Sequence, residues 1–229
     1  MQVTGNNISD RIFVQLGLSG YSFKIHTSTL VHSSEWMSAD CVFTTPELQR
    51  TYGEVAISIF SPKFTLVPKS FFDINNTREA LTSIVDIKET DSVNHIEIPS
   101  LSSFLVYSND IGESLSNLML KNLVSSTTQL SIYPEIYWML DSLENIVEYN
   151  KIVVSFMDGI VYLVIAQGKN LLLCNSYEAQ DFTTAQYFVF RALKRLQLNP
   201  EISSIYFRTP LSETEQMSLY RYFKSVEQL

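Results

Sequence analysis

The sequence predicts an α/β fold in which a mixed sheet covered by helices, in the order β-β-β-α-β-α, occurs twice. Three observations lead there. Residues 151–208 read as three consecutive strands, one long amphipathic helix and a fourth strand. Residues 11–60 run through the same events, a hairpin, a third strand, a helix and a strand, which implies an internal duplication of pattern rather than of residue identity. No Gly/Ser-rich or Pro-rich linker divides the two halves, so neither half is a loosely tethered module.

The later half carries the stronger signals. Residues 151–157 are β-branched and aromatic, Asp158 and Gly159 supply the positive-φ positions of a tight turn, and 160–166 form the returning strand. A second turn at 167–170 leads to a third strand over 171–177, completing an antiparallel meander. Asp181 is then a helix N-cap, because Phe182, Ala185, Phe188, Val189, Ala192, Leu193 and Leu196 recur behind it at helical spacing. Asn199 and Pro200 stop that helix. Arg191, Lys194 and Arg195 suit the negative end of its dipole. A short apolar strand at 202–207 follows a connection long enough to cross over and lie parallel to an earlier strand. Ser212 and Glu215 form a capping box that opens a last helix with Met217, Tyr220 and Phe223 on one face.

The first half predicts a strand at 11–16, a turn at 17–20 and a return at 21–26, where Tyr21, Phe23 and Ile25 alternate with Ser22, Lys24 and His26. A weakly patterned third strand covers 31–37. Thr45 and Pro46 fit the cap and first position of a short helix ending at Gly53, and 55–60 is a strand. Between the halves, 61–68 is extended, 70–72 a helical turn, 78–85 a helix and 86–94 a polar loop. A strand at 104–107, a helix at 113–123 with Leu115, Leu118 and Met119 on one face, and a strand at 129–133 come next. Pro134 is expected to open a further helix at its first position.

Composition narrows the function classes. At 229 residues and 45% hydrophobic content, the chain is globular with an ample core. A net charge of −8 disfavours nucleic acid and anionic membranes, whose binding is driven by Lys and Arg displacing counterions. The longest apolar runs are far short of a membrane span, and the first seven residues hold neither a basic region nor an apolar segment, so the cytoplasm is the expected address and no membrane insertion is expected. The two cysteines, Cys41 and Cys174, read as core filler in a reducing compartment. The sequons at Asn7 and Asn75 carry no meaning without an export signal.

Two tandem units of this order resemble the actin-like ATPase fold, in which two ribonuclease-H-like subdomains face a nucleotide cleft. The expected subdomains are residues 1–144 and 145–229. The phrase Ile132-Tyr-Pro-Glu-Ile-Tyr-Trp-Met-Leu140 resembles the strand and helix before the second phosphate loop of the pilus-assembly and cell-division members. Phe64-Thr-Leu-Val-Pro68 with Phe71 and Phe72, Asn175-Ser-Tyr177, and Leu196-Gln-Leu-Asn-Pro200 are similar to an uncharacterised bacterial domain family of that fold, which has no assigned activity.

The resemblance implies an Asp at the end of the first strand of each hairpin and a Gly two residues on, with backbone amides cradling phosphate and carboxylates holding the water shell of Mg²⁺. Gln15 stands at the first position, with Gly17 and Ser19 kept; Ser155 stands at the second, and no glycine follows before the Asp158-Gly159 turn. The glycine pair expected after the fourth strand of the second unit is replaced by Phe207-Arg-Thr-Pro210. An amide and a hydroxyl cannot position a hydrolytic metal. These losses predict a catalytically inactive module without cofactor or metal that binds an unidentified protein partner or self-associates. The alternative is a divergent nucleotide- or phosphate-binding enzyme using the loop from Gly17 to Lys24, with carboxylates such as Asp158, Glu178 or Asp181 as unfamiliar ligands. Asp158-Gly159 is by default a hairpin turn, and so is the glycine-containing loop from Gly17 to Gly20. His26, His32 and His95 lack metal-ligand spacing, and no Gly-x-Ser-x-Gly elbow supports Ser-His-Asp chemistry. On the long helix, Phe188 is accounted for by core packing, whereas Tyr187 and Phe190 are candidates for a protein contact.

Overall fold

The computed structural model describes residues 10–108 and 113–229, with side chains described throughout except at 113–116 and 118. Leu115, Leu118 and the sequon at Asn7 therefore lie outside the described side chains. The chain forms two compact units: residues 1–60 with 109–134, and residues 61–108 with 135–229. The boundary expected from sequence, after residue 144, falls later than this division at Pro134, and residues 61–108 group with the second unit.

The first unit is one mixed sheet. Strands β1 (Arg11–Leu16) and β2 (Gly20–His26) form the expected hairpin, and β2 pairs onward with β3 (Val31–Ser33) and β4 (Met37–Ser38). On the other side of β1, β5 (Glu54–Ile59) and β9 (Gln129–Pro134) run parallel to it, so the order is β3-β2-β1-β5-β9. The expected third strand is broken because Ser34 leaves the ladder: its Oγ accepts from the Phe23 amide at 2.8 Å, while its own amide donates to the Phe23 carbonyl. The short helix after Thr45 is only a 3-10 turn, Pro46–Gln49. Thr45 does not cap it, since its hydroxyl is used by the Cys41 carbonyl (2.8 Å) and the Tyr21 hydroxyl (2.6 Å). The core is filled by Ile12, Val14 and Leu16 of β1 and Tyr21, Phe23 and Ile25 of β2, against Met119 and Leu123 of helix α2 (Glu113–Leu123).

The second unit repeats that order in full. Strands β10 (Asn150–Met157), β11 (Ile160–Gln167) and β12 (Asn170–Glu178) meander antiparallel, β13 (Ser204–Phe207) lies parallel to β10, and β14 (Ser225–Gln228) parallel to β13, giving β12-β11-β10-β13-β14. Both sheets thus have the order third, second, first, fourth, fifth. β14 went unpredicted because four residues with a single buried apolar side chain, Val226, carry little periodic signal. One sheet face, from Ile152, Val154, Val161, Leu163 and Ile165, packs on Ala185, Val189 and Leu193 of helix α4 (Phe182–Arg195) and on Leu219 of α5 (Glu213–Tyr220). Each fully buried Val, Leu or Ile side chain among these contributes about 1.5–3 kcal/mol. The Asp181 and Ser212 caps form as expected. Pro134 does not open helix α3 (Glu135–Ser142); it closes β9 opposite Ile59, a strand end where a missing N–H costs little.

Residues 61–108 add a small sheet, β6 (Phe64–Pro68), β8 (Ser103–Tyr107) and β7 (Asn94–Ile98), with helix α1 (Thr77–Thr82) packed on β6 and β8. The ends of this segment are tied by Ser61 Oγ donating to the Ser108 carbonyl (2.6 Å) and by the Ser108 amide donating to the Lys63 carbonyl. Phe72 stacks on Phe104 at 3.8 Å, and buried Asp91 pairs with Lys63 and accepts from the Lys88 amide. Among the described residues, no helix is long and apolar enough to cross a membrane.

Candidate functional site

The candidate sites are the two hairpin ends, one in each unit. Their registers correspond. Gln15 pairs with Ser22 across the first hairpin and with Ser58 on β5; Ser155 pairs with Tyr162 across the second, and one step beyond the Val154–Phe207 pair places Arg208 beside it.

In the first unit Gln15 is buried, and its Oε1 accepts from Ser22 Oγ at 3.1 Å. The turn closes over Leu18 and Ser19 alone, because the Gly17 amide donates to the Gly20 carbonyl at 2.9 Å. That amide is spent inside the hairpin. Ser19 Oγ accepts from Trp36 Nε1 at 3.3 Å, and its carbonyl accepts from the Ala39 amide. Lys24 stands opposite Phe13 and Ser33, four residues and so about 13 Å along β2 from Gly20, and does not join the turn. The glycine with a packing reason is Gly20: a Cβ there would lie 1.9 Å from the Met37 carbonyl oxygen, so only glycine lets β4 approach β2.

In the second unit Ser155 is fully buried and donates from Oγ to Glu135 Oε1 at 2.6 Å. Glu135, the first residue of α3, has no exposed surface, and its Oε1 also takes the Arg208 Nε at 2.9 Å. Thr209 Oγ1 accepts from the Phe156 amide, and Gln228 Nε2 donates to the Phe207 and Thr209 carbonyls, which pins the segment carrying Arg208. Burial, reinforced by the charges of Glu135 and Asp158, pushes the Tyr162 phenol well above its ordinary pKa. Burial and Glu144 raise the Asp141 carboxyl, with Arg208 opposing. Asp158 and Gly159 have φ of 51° and 75°, the pair of left-handed residues that a two-residue hairpin of this type needs.

The structure thus joins Ser155 to a buried ion pair that sequence reasoning missed. The available signal was a lone charge of each sign among apolar neighbours, Glu135 in Tyr-Pro-Glu-Ile-Tyr-Trp and Arg208 after Ser-Ile-Tyr-Phe. Asp181 is committed to the Thr184 amide, which holds its carboxyl below the usual range. Among the described residues, no group of three His, Cys, Asp or Glu is placed to hold a metal ion.

Comparison with known proteins shows the fold. A Bacteroides thetaiotaomicron protein with actin-like ATPase fold and unknown function superposes with a TM-score of 0.67 at 17% identity, over 96% of this chain and 91% of that one. A chain of the PilM–PilN type IV pilus biogenesis complex superposes with a TM-score of 0.53 at 12% identity, over 96% of this chain and 88% of its own. The chain has the actin-like ATPase fold. A search of the curated proteins returns no significant match. A family profile matches residues 11–226, and the chain therefore belongs to the protein family of unknown function DUF3822.

Proposed function

We propose that this chain is a catalytically inactive member of the actin-like ATPase fold, acting in the cytoplasm as a protein-binding or scaffolding module. One observation carries the reading. Where the resemblance implies two metal-facing carboxylates, the chain has Gln15 and Ser155, and each is engaged in an internal hydrogen bond, to Ser22 and to Glu135. Mg²⁺ requires anionic oxygen ligands in near-octahedral array, which an amide and a hydroxyl do not supply. The carboxylate nearest the second hairpin position, Glu135, is neutralised by a cation of the protein itself, Arg208. The protein-binding half of the reading draws support from the PilM–PilN complex, in which a chain of similar fold is found with another protein.

The test is nucleotide binding and turnover. Incubation with millimolar ATP and Mg²⁺ is expected to leave the melting temperature within about 1 °C and to release no phosphate above background. A stabilisation of several degrees, or phosphate release abolished by Lys24→Ala or Asp158→Asn, overturns the reading in favour of a phosphate-binding enzyme.

A further inference from the structure

Helix α4 touches α5 and the turn that follows it. Gln186 Nε2 donates to Ser218 Oγ at 2.6 Å, and the Phe190 ring meets Tyr222 edge-on with centroids 5.0 Å apart. Opposite the buried stripe of Ala185, Val189 and Leu193, helical spacing puts Tyr187, Arg191 and Lys194 in one outward row, and all three are exposed. Across that contact, Met217 is exposed on α5, Arg221 is the residue that caps its C-terminus, and Tyr222 follows in the turn. Tyr187, Met217 and Tyr222 are 56%, 65% and 50% exposed, so their apolar surface is open to a partner.

The charge on this face opposes that of the chain. The protein carries −8 overall, yet Arg191, Lys194 and Arg221 share this surface, and among the described residues none of them makes an ion pair or a side-chain hydrogen bond. The helix dipole accounts for a cation in the last turn of α4, such as Lys194. Arg191, expected from sequence to serve the same dipole, lies a turn before the last, where the effect has fallen off, and the dipole has no bearing on the exposed tyrosine beside it. Of the acidic residues of α5, Glu215 is turned back into its capping box with Ser212, and exposed Glu213, one turn before Met217, leaves this surface with three cations to one carboxylate.

We propose that this two-helix face docks an acidic, aromatic-bearing segment of a partner protein. Carboxylates of the segment meet Arg191, Lys194 and Arg221, and its rings lie on Tyr187, Tyr222 and Met217. Aromatic and arginine side chains are those that most often dominate a protein contact. Three cations on a chain of −8 are too few for a phosphate polymer or an anionic bilayer. The inference deepens the protein-binding reading and rests on it.

The probe is a fluorescein-labelled peptide of alternating glutamate and tyrosine, read by anisotropy against the full chain, with a glutamine–tyrosine peptide and phosphatidylglycerol vesicles alongside. The acidic peptide is expected to bind, and to bind more weakly as salt rises. Binding should weaken about tenfold or more in the Arg191→Glu/Lys194→Glu/Arg221→Glu variant, and clearly in Tyr187→Ala/Tyr222→Ala. Lys169→Glu, an exposed cation in the β11–β12 turn, should change it by less than about twofold. Arg191→Gln/Arg221→Gln serves as a milder variant should the triple reversal unfold. The proposal is overturned by absence of acidic-peptide binding at millimolar concentration, by equal affinity for both peptides, by indifference to the charge variants, or by vesicles binding where peptides do not. Dimerisation of the free chain that the triple variant abolishes also overturns it, by making a second copy the occupant. Failure here with no response to ATP removes only this docking face, whereas a response to ATP removes the protein-binding reading itself.

Discussion

Arg208 Nε lies 2.9 Å from the Oε1 of Glu135, seventy-three residues away in sequence, with the glutamate wholly buried and the arginine side chain only 11% exposed. Taking two charges out of water costs several kcal/mol per ion, so such a pair persists only when each supplies the other's counter-charge and neighbouring groups complete the hydrogen bonding. Ser155 does so from the strand.

Removing one partner should therefore be costly, and removing both much less so. Arg208→Met is expected to destabilise by about 3–5 kcal/mol in urea denaturation, and Glu135→Met/Arg208→Met to recover most of that loss. Additive losses in the double variant would show that the two side chains act independently.

A carboxylate restored at the hairpin should not restore a metal site. Ser155→Asp would set a second anion beside Glu135 with Arg208 left to serve both, and we expect a loss of about 2–4 kcal/mol. Thermal scans with and without millimolar Mg²⁺ should coincide. A clear rise in melting temperature with the metal would instead mean that the site had lacked only this ligand.

Two glycines should respond differently to alanine. Gly20→Ala puts a Cβ 1.9 Å from the Met37 carbonyl, which backbone alone can relieve, so the expected cost is about 3 kcal/mol. At Gly159 the nearest atom would be 3.8 Å away and only the φ of +75° resists, so the cost should be about 1 kcal/mol. Denaturation midpoints of the two variants separate steric exclusion from backbone strain, and equal midpoints would contradict the distinction.

Stability should fall on the alkaline side. Burial raises the pKa of Tyr21, Tyr52, Tyr162 and Tyr206, and pushes the Cys174 thiol up to about 12, although that side chain, on an edge strand, is half-buried rather than in the core. In the unfolded chain the thiol ionises near 8.5 and the phenols near about 10. Unfolding then releases protons, so the stability held below those values is lost as pH rises, for Cys174 between about 8.5 and about 12. Urea midpoints should decline from about pH 8.5 upward, with a shallower initial slope in Cys174→Ala. In the native protein at pH 8, Cys174 should resist a thiol reagent that labels it after unfolding.

Local chemistry made much of the fold legible. The Asp158-Gly159 turn, the Asp181 and Ser212 caps and the apolar period of α4 each need only neighbours in sequence, and each formed as expected. The broken strand at Ser34, the uncapped turn after Thr45 and the polar strand β14 did not, because distant partners decide them: the Phe23 backbone, the Tyr21 hydroxyl and β13. The hairpin sites divide the same way. The absence of carboxylates at Gln15 and Ser155 is written in the residues, whereas what those residues do instead depends on Ser22 across a strand and on Glu135 twenty positions earlier.

By itself, the sequence determined the two-fold β-β-β-α-β plan, the turn and cap chemistry, and the loss of metal-ligating side chains, because periodicity, φ preference and residue type act over a few positions. Only the tertiary structure decided that the first hairpin closes over Leu18 and Ser19, that Arg208 neutralises Glu135 beneath Ser155, and that Arg191, Lys194 and Arg221 are left exposed and, among the described residues, without an ion pair. Those outcomes depend on which distant groups burial forces together and which it leaves in water, a competition between desolvation and pairing that no local window of sequence contains.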